Sequence, residues 1–366
     1  MKNEYLTYLR SLLIKKTDLV SLVFFITNKC NLRCSHCFLW KGLDKPEHEL
    51  SLEEIDKVSK SMGTLLSLSL TGGEPFLRED ISEIAELFYR NNNLKHLSIP
   101  TNGLLGDKIV ENVNKILSKC PKLSLNLAIS LDGLENTHDK IRGLSGCFKK
   151  AIETYSKIKK ISEKSKKLTV EIITTMTSNN QHNLDKFYDF VIGELKPDSI
   201  NFNIIRGDVK KKSSKKVDVK IYSKTIKRIQ KSFLENSITG YDNFSFSEYT
   251  AALRMVEPKV IMKTLKENKY QSRCYAGMLN GVLYSNGDVF PCELLNRKIG
   301  NVRDFDYDFK KLWSSKEIKN IRKYIKDTKC FCIHPCNLTV NTLFNVKYIP
   351  KLAYYGSRLK LRKLIK

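Results

Sequence analysis

The sequence has no long apolar run, and this absence excludes a protein held in a membrane by helical spans. No segment of its 366 residues approaches the roughly 20 apolar residues that a spanning helix needs. The first residues alternate lysine, tyrosine and leucine, and they contain neither the apolar core nor the cleavage site of a secretory signal. We therefore predict a cytoplasmic location.

Acidic side chains are scarce relative to basic ones. The chain carries 64 lysines and arginines against 39 aspartates and glutamates, and its net charge of +25 comes mainly from lysine. One interpretation is a basic surface for nucleic acid, anionic lipid or a phosphorylated substrate. The sequence lacks a stripe of arginine and aromatic residues, so we favour lysines spread over solvated faces.

Cysteine, in contrast, is plentiful and grouped. Ten cysteines could form five disulfides in a secreted protein. Their grouping and the missing secretory signal favour metal ligands in a reducing compartment. The apolar fraction of 41% is ordinary for a chain with a real core.

Three of the cysteines close a short loop. Cys30, Cys34 and Cys37 follow an apolar run at 20–26 that is typical of a buried strand. Three thiolates on an iron–sulfur cube leave one iron free to bind a substrate or a cofactor. The alternative is a zinc site with His36 as a fourth ligand. We favour the cluster because structural zinc sites prefer paired Cys-x-x-Cys knuckles.

From residue 20 the chain alternates strand and helix patterns. A capping box at Ser51 and Glu54 opens the first helix. Six strands with helical crossovers predict an α/β fold, a partial (β/α)6 barrel with its chemistry at the carboxyl ends of the strands. The predicted strands are 20–27, 65–70, 95–100, 123–131, 168–175 and 198–205, and further helices are predicted near 80–91, 107–119, 146–164 and 181–194.

Composition and periodicity divide the chain into five segments. A helical cap over 1–18 precedes the barrel core over 19–209. A stretch of lysine and serine opens a basic linker with helices over 210–270. A small, metal-stapled domain follows over 271–346. The basic tail over 347–366 could lie on an anionic membrane or a carrier, or pack across the domain with its charges solvated.

The second predicted strand ends in a glycine motif. In Thr71-Gly72-Gly73-Glu74-Pro75, two glycines let the backbone approach a ligand closely, and the carboxylate suits an ammonium group. Alone, this motif could be an ordinary turn. At the end of the strand that follows the cysteine loop, it is far more specific.

Together, these motifs resemble the radical S-adenosylmethionine enzymes, in the branch that carries an extra C-terminal iron–sulfur domain. The resemblance spans roughly residues 20–206 in order. Besides the two motifs above, it includes Thr101-Asn102-Gly103 and the segment from Ser130-Leu131-Asp132-Gly133 through His138-Asp139 to Arg142-Gly143.

The resemblance implies a cofactor and a reaction. Cys30, Cys34 and Cys37 would hold a 4Fe–4S cluster whose open iron chelates S-adenosyl-L-methionine. Reductive cleavage would give a 5′-deoxyadenosyl radical that abstracts hydrogen from a substrate. A flavodoxin- or ferredoxin-type protein would donate the electron. The candidates for the methionine amino group are Gly72, Gly73 and Glu74, and those for its carboxylate or the ribose are Ser130, Arg142 and Asn102.

A second cysteine group begins at Cys274. The stretch 282–290, with its Asn-Gly turn, predicts a β-hairpin that brings Cys274 close to Cys292. This pattern resembles the opening of the auxiliary-cluster domain called SPASM, or of its shorter relative called twitch. The full SPASM pattern would supply seven cysteines, whereas this segment has five.

Five cysteines imply one auxiliary cluster, most simply a second 4Fe–4S cluster with four thiolates. Zinc is the alternative metal. The expected ligands are Cys274, Cys292, Cys332 and Cys336, with Cys330 as the substitute.

These features imply a radical enzyme that oxidises or cross-links its substrate with the help of the auxiliary cluster. About twenty residues precede the first strand, too few for a leader-binding domain, so a peptide substrate would need a separate partner. This favours a carbohydrate, lipid-linked or other small substrate and leaves a peptide open. The alternatives are a radical modifier of tRNA or other nucleic acid, which salt-resistant retention would indicate, and a non-enzymatic iron–sulfur binding protein.

Overall fold

The computed structural model describes residues 17–235, 237–238 and 247–364. The helical cap predicted over residues 1–18 lies almost entirely outside the described residues. Within them, the chain alternates strands and helices as far as residue 204 and then continues into two long helices and a C-terminal segment.

Nine strands form one sheet in the described part of the chain. They are β1 (Ser21–Thr27), β2 (Ser67–Gly72), β3 (His96–Thr101), β4 (Ser124–Ser130), β5 (Leu168–Met176), β6 (Ser199–Ile204), β7 (Asn280–Tyr284), β8 (Asp288–Phe290) and β9 (Gly300–Asn301). Their order is β6-β5-β4-β3-β2-β1-β7-β8-β9, with parallel pairing from β6 to β7. The six predicted strands are confirmed within two residues at each end.

The first six α-helices of the described residues cross between the strands β1 to β6, and the later helices follow β6. The helices are α1 (Leu52–Ser61), α2 (Ile81–Asn92), α3 (Gly106–Lys119), α4 (Glu135–Arg142), α5 (Cys147–Ser162), α6 (Leu184–Phe190), α7 (Val219–Leu234), α8 (Ser247–Glu267), α9 (Phe309–Trp313), α10 (Lys316–Asp327), α11 (Pro335–Leu343) and α12 (Ile349–Leu364). The capping box is present, because Ser51 Oγ accepts from Glu54 N at 3.2 Å and Ser51 N donates to Glu54 Oε2 at 2.8 Å. The sequence did not predict α4.

The two faces of β1 serve different purposes. Phe24 and Ile26 are fully buried in the main core that the helices cover. Val23 and Phe25 point to the other face, where they pack with Val282 of β7. Parallel strands buried on both faces read as continuous apolar runs, which is why this strand is conspicuous in the sequence.

The C-terminal segment extends the same sheet. β7 pairs with β1 in parallel register from Ser21↔Asn280 to Phe25↔Tyr284, and β8 returns antiparallel to β7 as the predicted hairpin. Gly287 in the turn has φ +89°, a conformation that favours glycine. The strand that leads into the cysteine loop is therefore held on both edges.

The basic tail packs against α8. Leu352 and Leu359 of α12 are buried, and Lys259 Nζ donates to Tyr355 Oη at 2.7 Å. This arrangement corresponds to the packed alternative for the tail. Among the described residues, no helix combines the length and the apolar character that crossing a bilayer requires.

Candidate active site

A cavity of about 390 Å³ lies inside the sheet at the carboxyl ends of its strands. Val23 and Phe25 of β1 line its inner wall, and the loops after the strands close around it. Its walls include the three loop cysteines and, from the C-terminal segment, Glu293 and Cys336. This is the edge at which a parallel α/β fold collects its functional side chains.

The cysteine loop is fastened by backbone hydrogen bonds at several points. Cys30 N donates to Asp44 Oδ1 at 3.0 Å. The chain that leaves β6 returns to the loop, where Lys210 N donates to Cys37 O at 3.2 Å and Lys211 N donates to the carbonyl of residue 35 at 2.8 Å. The loop is therefore preorganised by elements far away in sequence.

Burial disfavours the thiolate form of all three loop cysteines. It raises the pKa of Cys30 to about 12 and also raises the pKa of Cys34 and of Cys37. The negative charge of neighbouring thiolates adds to this effect. A bound metal would supply the positive charge that stabilises these groups as thiolates.

The spacing of these sulfurs suits a cluster better than a single ion. Among the described residues, two groups of three candidate ligand atoms gather within 4.8 Å, and neither group contains Cys30, Cys34 or Cys37. A tetrahedral zinc ion would hold its sulfurs only about 3.8 Å apart. His36 does not complete such a group either. Its Nε2 lies 3.8 Å from Asp132 Oδ2 instead.

The two glycines of the motif allow the loops after β1 and β2 to touch. A Cβ atom on Gly72 would lie 2.4 Å from Thr27 O, and one on Gly73 would lie 2.1 Å from Lys29 O. Gly73 N and Glu74 N donate to these same two carbonyls at 3.0 and 2.8 Å. The motif therefore sits directly against the start of the cysteine loop.

The Glu74 carboxylate is buried and already has protein donors. It accepts hydrogen bonds from Thr101 Oγ1 at 2.7 Å, from Asn102 N at 2.8 Å and from Phe76 N at 3.3 Å. Burial outweighs these bonds and raises the pKa of Glu74 to about 7. Its observed contacts join the ends of β2 and β3, and any contact with a methionine amino group remains a prediction.

Asn102 connects the third strand to the cysteine loop. Its Nδ2 donates to Asn31 Oδ1 at 2.7 Å, and its Oδ1 accepts from Leu104 N at 3.0 Å. It also lines the cavity. This position next to the loop is compatible with the ribose contact that we predicted.

Arg142 projects from α4 into a buried charge cluster beside the loop. Its Nε lies 2.7 Å from Asp132 Oδ2, and its Nη1 lies 3.9 Å from Cys34 Sγ. Burial alone would raise the pKa of Asp132, but the charge of Arg142 outweighs it and the pKa is lowered. Both Arg142 and Ser130 line the cavity, so the structure brings all the predicted cofactor-binding residues to one place.

Four of the five C-terminal cysteines form a second group. Cys274, Cys330 and Cys332 line one small cavity, and Cys292 is near enough for its charge to act on Cys332. Their sulfurs also form no set of three within 4.8 Å. The proximity of Cys274 lowers the pKa of Cys330, whereas burial raises the pKa of Cys332 to about 11.

Cys336, which we expected among these ligands, lies elsewhere. It sits at the start of α11 and lines the large cavity with Glu293 and Thr339. Its side chain is exposed there. The structure thus groups Cys330, the substitute in our prediction, with the other three cysteines.

Several cavity residues were missed by the sequence interpretation. Glu293, Arg206 and Glu171 line the cavity, and His334 lies in close contact with Glu293. The positions of Glu293 and His334 next to cysteines gave a signal that could have been used, since Glu293 follows Cys292 and His334 lies between two cysteines. Glu171 and Arg206 carried no such signal.

Two family models match the chain. The one described as the radical SAM superfamily matches residues 24–191, and the one described as an iron–sulfur cluster-binding domain, SPASM, matches residues 274–337. Each match contains one of the two cysteine groups.

Two curated relatives illustrate the range of similar proteins. The sporulation killing factor maturation protein SkfB of Bacillus subtilis (strain 168) is 34% identical over 175 residues, which are 47% of this chain and 38% of SkfB. The AdoMet-dependent heme synthase of Methanosarcina barkeri is 26% identical over 308 residues, which are 80% of this chain and 81% of the synthase. The chain therefore matches well under half of SkfB but most of the heme synthase.

The fold is also similar to that of anSMEcpe. Its native structure with bound AdoMet gives a TM-score of 0.59 at 20% sequence identity and covers 94% of this chain and all of the other. The same protein with AdoMet and a peptide gives a TM-score of 0.58. This likeness confirms the predicted fold class, a partial barrel with a small C-terminal domain.

Proposed function

Because the chain belongs to the radical SAM superfamily and carries a C-terminal SPASM domain, we propose that it abstracts hydrogen from a substrate in the cavity and oxidises or cross-links it. The observation that carries this proposal is the group of three half-buried thiols in the cavity wall, with Cys30 against the glycine motif. Fully ligated structural metal sites have no such adjoining cavity for a second molecule.

The residues present fit the cofactors that this family requires. When bound, a 4Fe–4S cluster and S-adenosylmethionine supply a 5′-deoxyadenosyl radical that abstracts hydrogen. Cys30, Cys34 and Cys37 would hold the cluster, and Ser35 Oγ and His36 Nδ1 beside them are buried without a hydrogen-bond partner in the described chain. The polar groups for the nucleotide would be those already placed on the cavity wall, from Gly72 to Arg142.

We assign the auxiliary cluster to Cys274, Cys292, Cys330 and Cys332. The small cavity that Cys274, Cys330 and Cys332 line, with Cys292 nearby, supports this set, and Cys336 is left out because it lines the large cavity instead. Such a cluster could accept the electron that an oxidised substrate gives up.

A peptide is the substrate class that the cavity shape supports best. A second cavity of about 520 Å³ shares Phe25, Phe38 and Leu39 with the first and is also lined by residues of β7 and β8. An extended chain could occupy both adjoining cavities with one residue beside the loop cysteines. SkfB is named as a maturation protein, and anSMEcpe has been solved with a peptide, which supports the same class.

A small-molecule substrate is the second candidate. The heme synthase is similar to this chain over a much longer stretch than SkfB is. The shared cavity wall is apolar, with Phe25, Phe38 and Leu43, and could also accommodate a flat ring system. Labelled candidates of both classes therefore belong in the same assay.

The proposed reaction also needs partners. A flavodoxin- or ferredoxin-type donor would supply the low-potential electron, and a peptide substrate would be delivered by a separate chain. Both proposals fit a cytoplasmic location. The basic surface is available to an acidic partner at a groove that is lined by Lys220 and Lys227 of α7 and by Lys266 of α8.

The test is anaerobic reconstitution followed by iron counting and an assay for 5′-deoxyadenosine with dithionite. We expect about eight irons per chain in the wild type. Changing Cys30, Cys34 and Cys37 to Ala should remove about half of the iron and abolish 5′-deoxyadenosine. Changing Cys274 and Cys292 to Ala should remove the other half and leave cofactor cleavage intact.

The control is Cys120→Ala, because Cys120 is a buried thiol at the end of α3 and outside both cysteine groups. It should change neither the iron content nor the cleavage. Absence of 5′-deoxyadenosine from the reconstituted wild type, or its persistence in the triple variant, would contradict the proposal. Deuterium transfer from labelled substrates into 5′-deoxyadenosine then identifies the substrate class.

A further inference from the structure

Glu293, His334 and Cys336 form a compact group beside the cavity. One ligand atom from each, a carboxylate oxygen, a ring nitrogen and a sulfur, lie within 4.8 Å of one another. Glu293 comes from the loop after β8, whereas His334 and Cys336 flank the first residue of α11. Two separate segments of the chain therefore bring three potential metal ligands to one point.

The imidazole and the carboxylate of this group are buried and poorly satisfied, whereas the Cys336 thiol is exposed. His334 is only 1% exposed, and its Nδ1 has no hydrogen-bond partner among the described residues. His334 Nε2 and Glu293 Oε2 are in close contact, but neither makes a hydrogen bond of acceptable geometry. Buried polar groups are normally paired, so this arrangement indicates a missing partner.

Besides His334, the charged partner of the Glu293 carboxylate is Arg206, and it is a weak one. Arg206 Nη2 lies 4.0 Å from Glu293 Oε2, at the limit of an ion pair, and the Arg206 guanidinium lies over the ring of Phe38. A cation held between the carboxylate, the imidazole and the thiol would satisfy all three at once.

This group is distinct from the auxiliary cysteines. Cys336 lines the large cavity, whereas Cys274, Cys330 and Cys332 line a separate small cavity to which Cys336 does not contribute. Cys336 is therefore available for a separate site.

We propose that Glu293, His334 and Cys336 bind a divalent cation of the zinc class in the wall of the cavity. Sulfur, imidazole and carboxylate are the ligands that zinc takes in proteins. A thiolate and a carboxylate together balance its charge. Three protein ligands leave a fourth position, which is typical of catalytic rather than structural zinc.

The fourth position would face the substrate. Glu293 and Cys336 both line the cavity that contains the loop cysteines. A carbonyl, amine or thiolate of the substrate could coordinate there and be held in a fixed orientation. This role rests on the proposed function, whereas binding of the metal itself does not.

The experiment uses the full chain with both clusters reconstituted. The protein is incubated with one equivalent of Zn²⁺, desalted, and analysed for zinc and iron by mass spectrometry. Wild type should retain about one zinc per chain. Cys336→Ser and, independently, His334→Gln should retain at least tenfold less zinc while their iron content stays at the wild-type level. Cys120→Ser is the matched control and should retain zinc as the wild type does.

X-ray absorption at the zinc edge identifies the ligands. We expect one sulfur at about 2.3 Å and nitrogen or oxygen neighbours at about 2.0–2.2 Å. Zinc that had replaced cluster iron would show three or four sulfurs, which would overturn the proposal. Equal zinc retention in the wild type and in both variants would also overturn it, as would a loss of one cluster's iron in Cys336→Ser, because Cys336 would then be a cluster ligand.

Failure of this proposal is distinguishable from failure of the proposed function. The zinc measurement requires no substrate and no cleavage of S-adenosylmethionine. If one variant misfolds, its melting temperature will reveal it, and the other variant still decides the outcome.

Discussion

At the scale of single residues, Glu257 of α8 shows how the fold keeps a carboxylate from water. Its side chain is buried, and its Oε1 has no hydrogen-bond partner in the described chain. Burial raises its pKa from 4.5 to about 7, although the charge of Arg254 opposes the change. The folded protein therefore holds this proton at pH values where the unfolded chain has released it.

This difference predicts how Glu257 affects stability as the pH changes. Because the folded state binds the extra proton between about pH 4.5 and 7, stability falls as the pH rises through this range. Glu257→Gln removes the titration. The stability of the variant relative to the wild type should therefore increase between pH 5 and pH 8, by about 3 kcal/mol at most. Thermal unfolding of both proteins at the two pH values measures the gain. An equal difference at both would contradict the prediction.

The buried pair of Arg142 and Asp132 leads to a second prediction. Their atoms are 2.7 Å apart, and Asp132 is fully buried, so removing the cation leaves a buried charge without its partner. Arg142→Leu should destabilise the protein by about 3–5 kcal/mol. Denaturant unfolding measures the loss, and the double variant with Asp132→Asn should recover part of it. If Arg142 served only the cofactor, stability without cofactor would not change.

At the scale of elements, the contact between two loops places the cysteines. The loops after β1 and β2 approach so closely that a Cβ atom on Gly73 would lie 2.1 Å from Lys29 O and 2.8 Å from the Cβ of Cys30. The shape of the cysteine loop thus depends on a residue that carries no functional group.

Gly73→Ala should therefore push the loops apart. We expect a loss of about 1–3 kcal/mol in stability and loss of about half of the bound iron after reconstitution. Gly63→Ala is the matched control, because a Cβ at Gly63 would meet nothing within 4 Å. Full iron content in Gly73→Ala would show that the loop tolerates the displacement.

The sequence predicted the regular elements better than the site. The six parallel strands are continuous apolar runs because both of their faces are buried, and such runs are visible in any single sequence. The helix α4 was missed because it is short and mostly polar, and its stability comes from buried residues such as His138 and Arg142. Whether α4 forms is therefore decided by contacts with distant segments.

For the site, local spacing was informative and distant pairing was not. The motif Cys30-x-x-x-Cys34-x-x-Cys37 and the glycine motif were found because each is compact in the chain. Whether Cys330 or Cys336 joins the other auxiliary cysteines depends on where α11 lies relative to the loop after β8. No spacing rule contains that information.

At the scale of the whole molecule, one sheet contains strands of both the barrel core and the C-terminal segment, which composition had divided. β1 pairs with β2 on one edge and with β7 on the other, and Arg303 donates to the Glu54 carboxylate of α1 at 2.8 and 2.9 Å. The segment over 271–346 that we predicted as a domain therefore shares hydrogen bonds with the core.

This continuity predicts the behaviour of a truncated chain. A fragment that ends at residue 270 would leave the edge of β1 unpaired, and its apolar face at Val23 and Phe25 would lose Val282. We expect the fragment to aggregate, since exposed apolar edge strands pair with other chains. Size-exclusion chromatography tests this expectation, and a soluble monomer with a cooperative melting transition would contradict it.

The double pairing of β1 also limits how such enzymes can be recombined. Exchanging the C-terminal segment for that of a relative would replace the strand at 280–284, which pairs with β1, and so reposition the start of the cysteine loop without any change in the barrel sequence. The junction of a chimera would have to be chosen by strand register rather than by a boundary in the sequence. Selection for a new substrate would have to change both halves together.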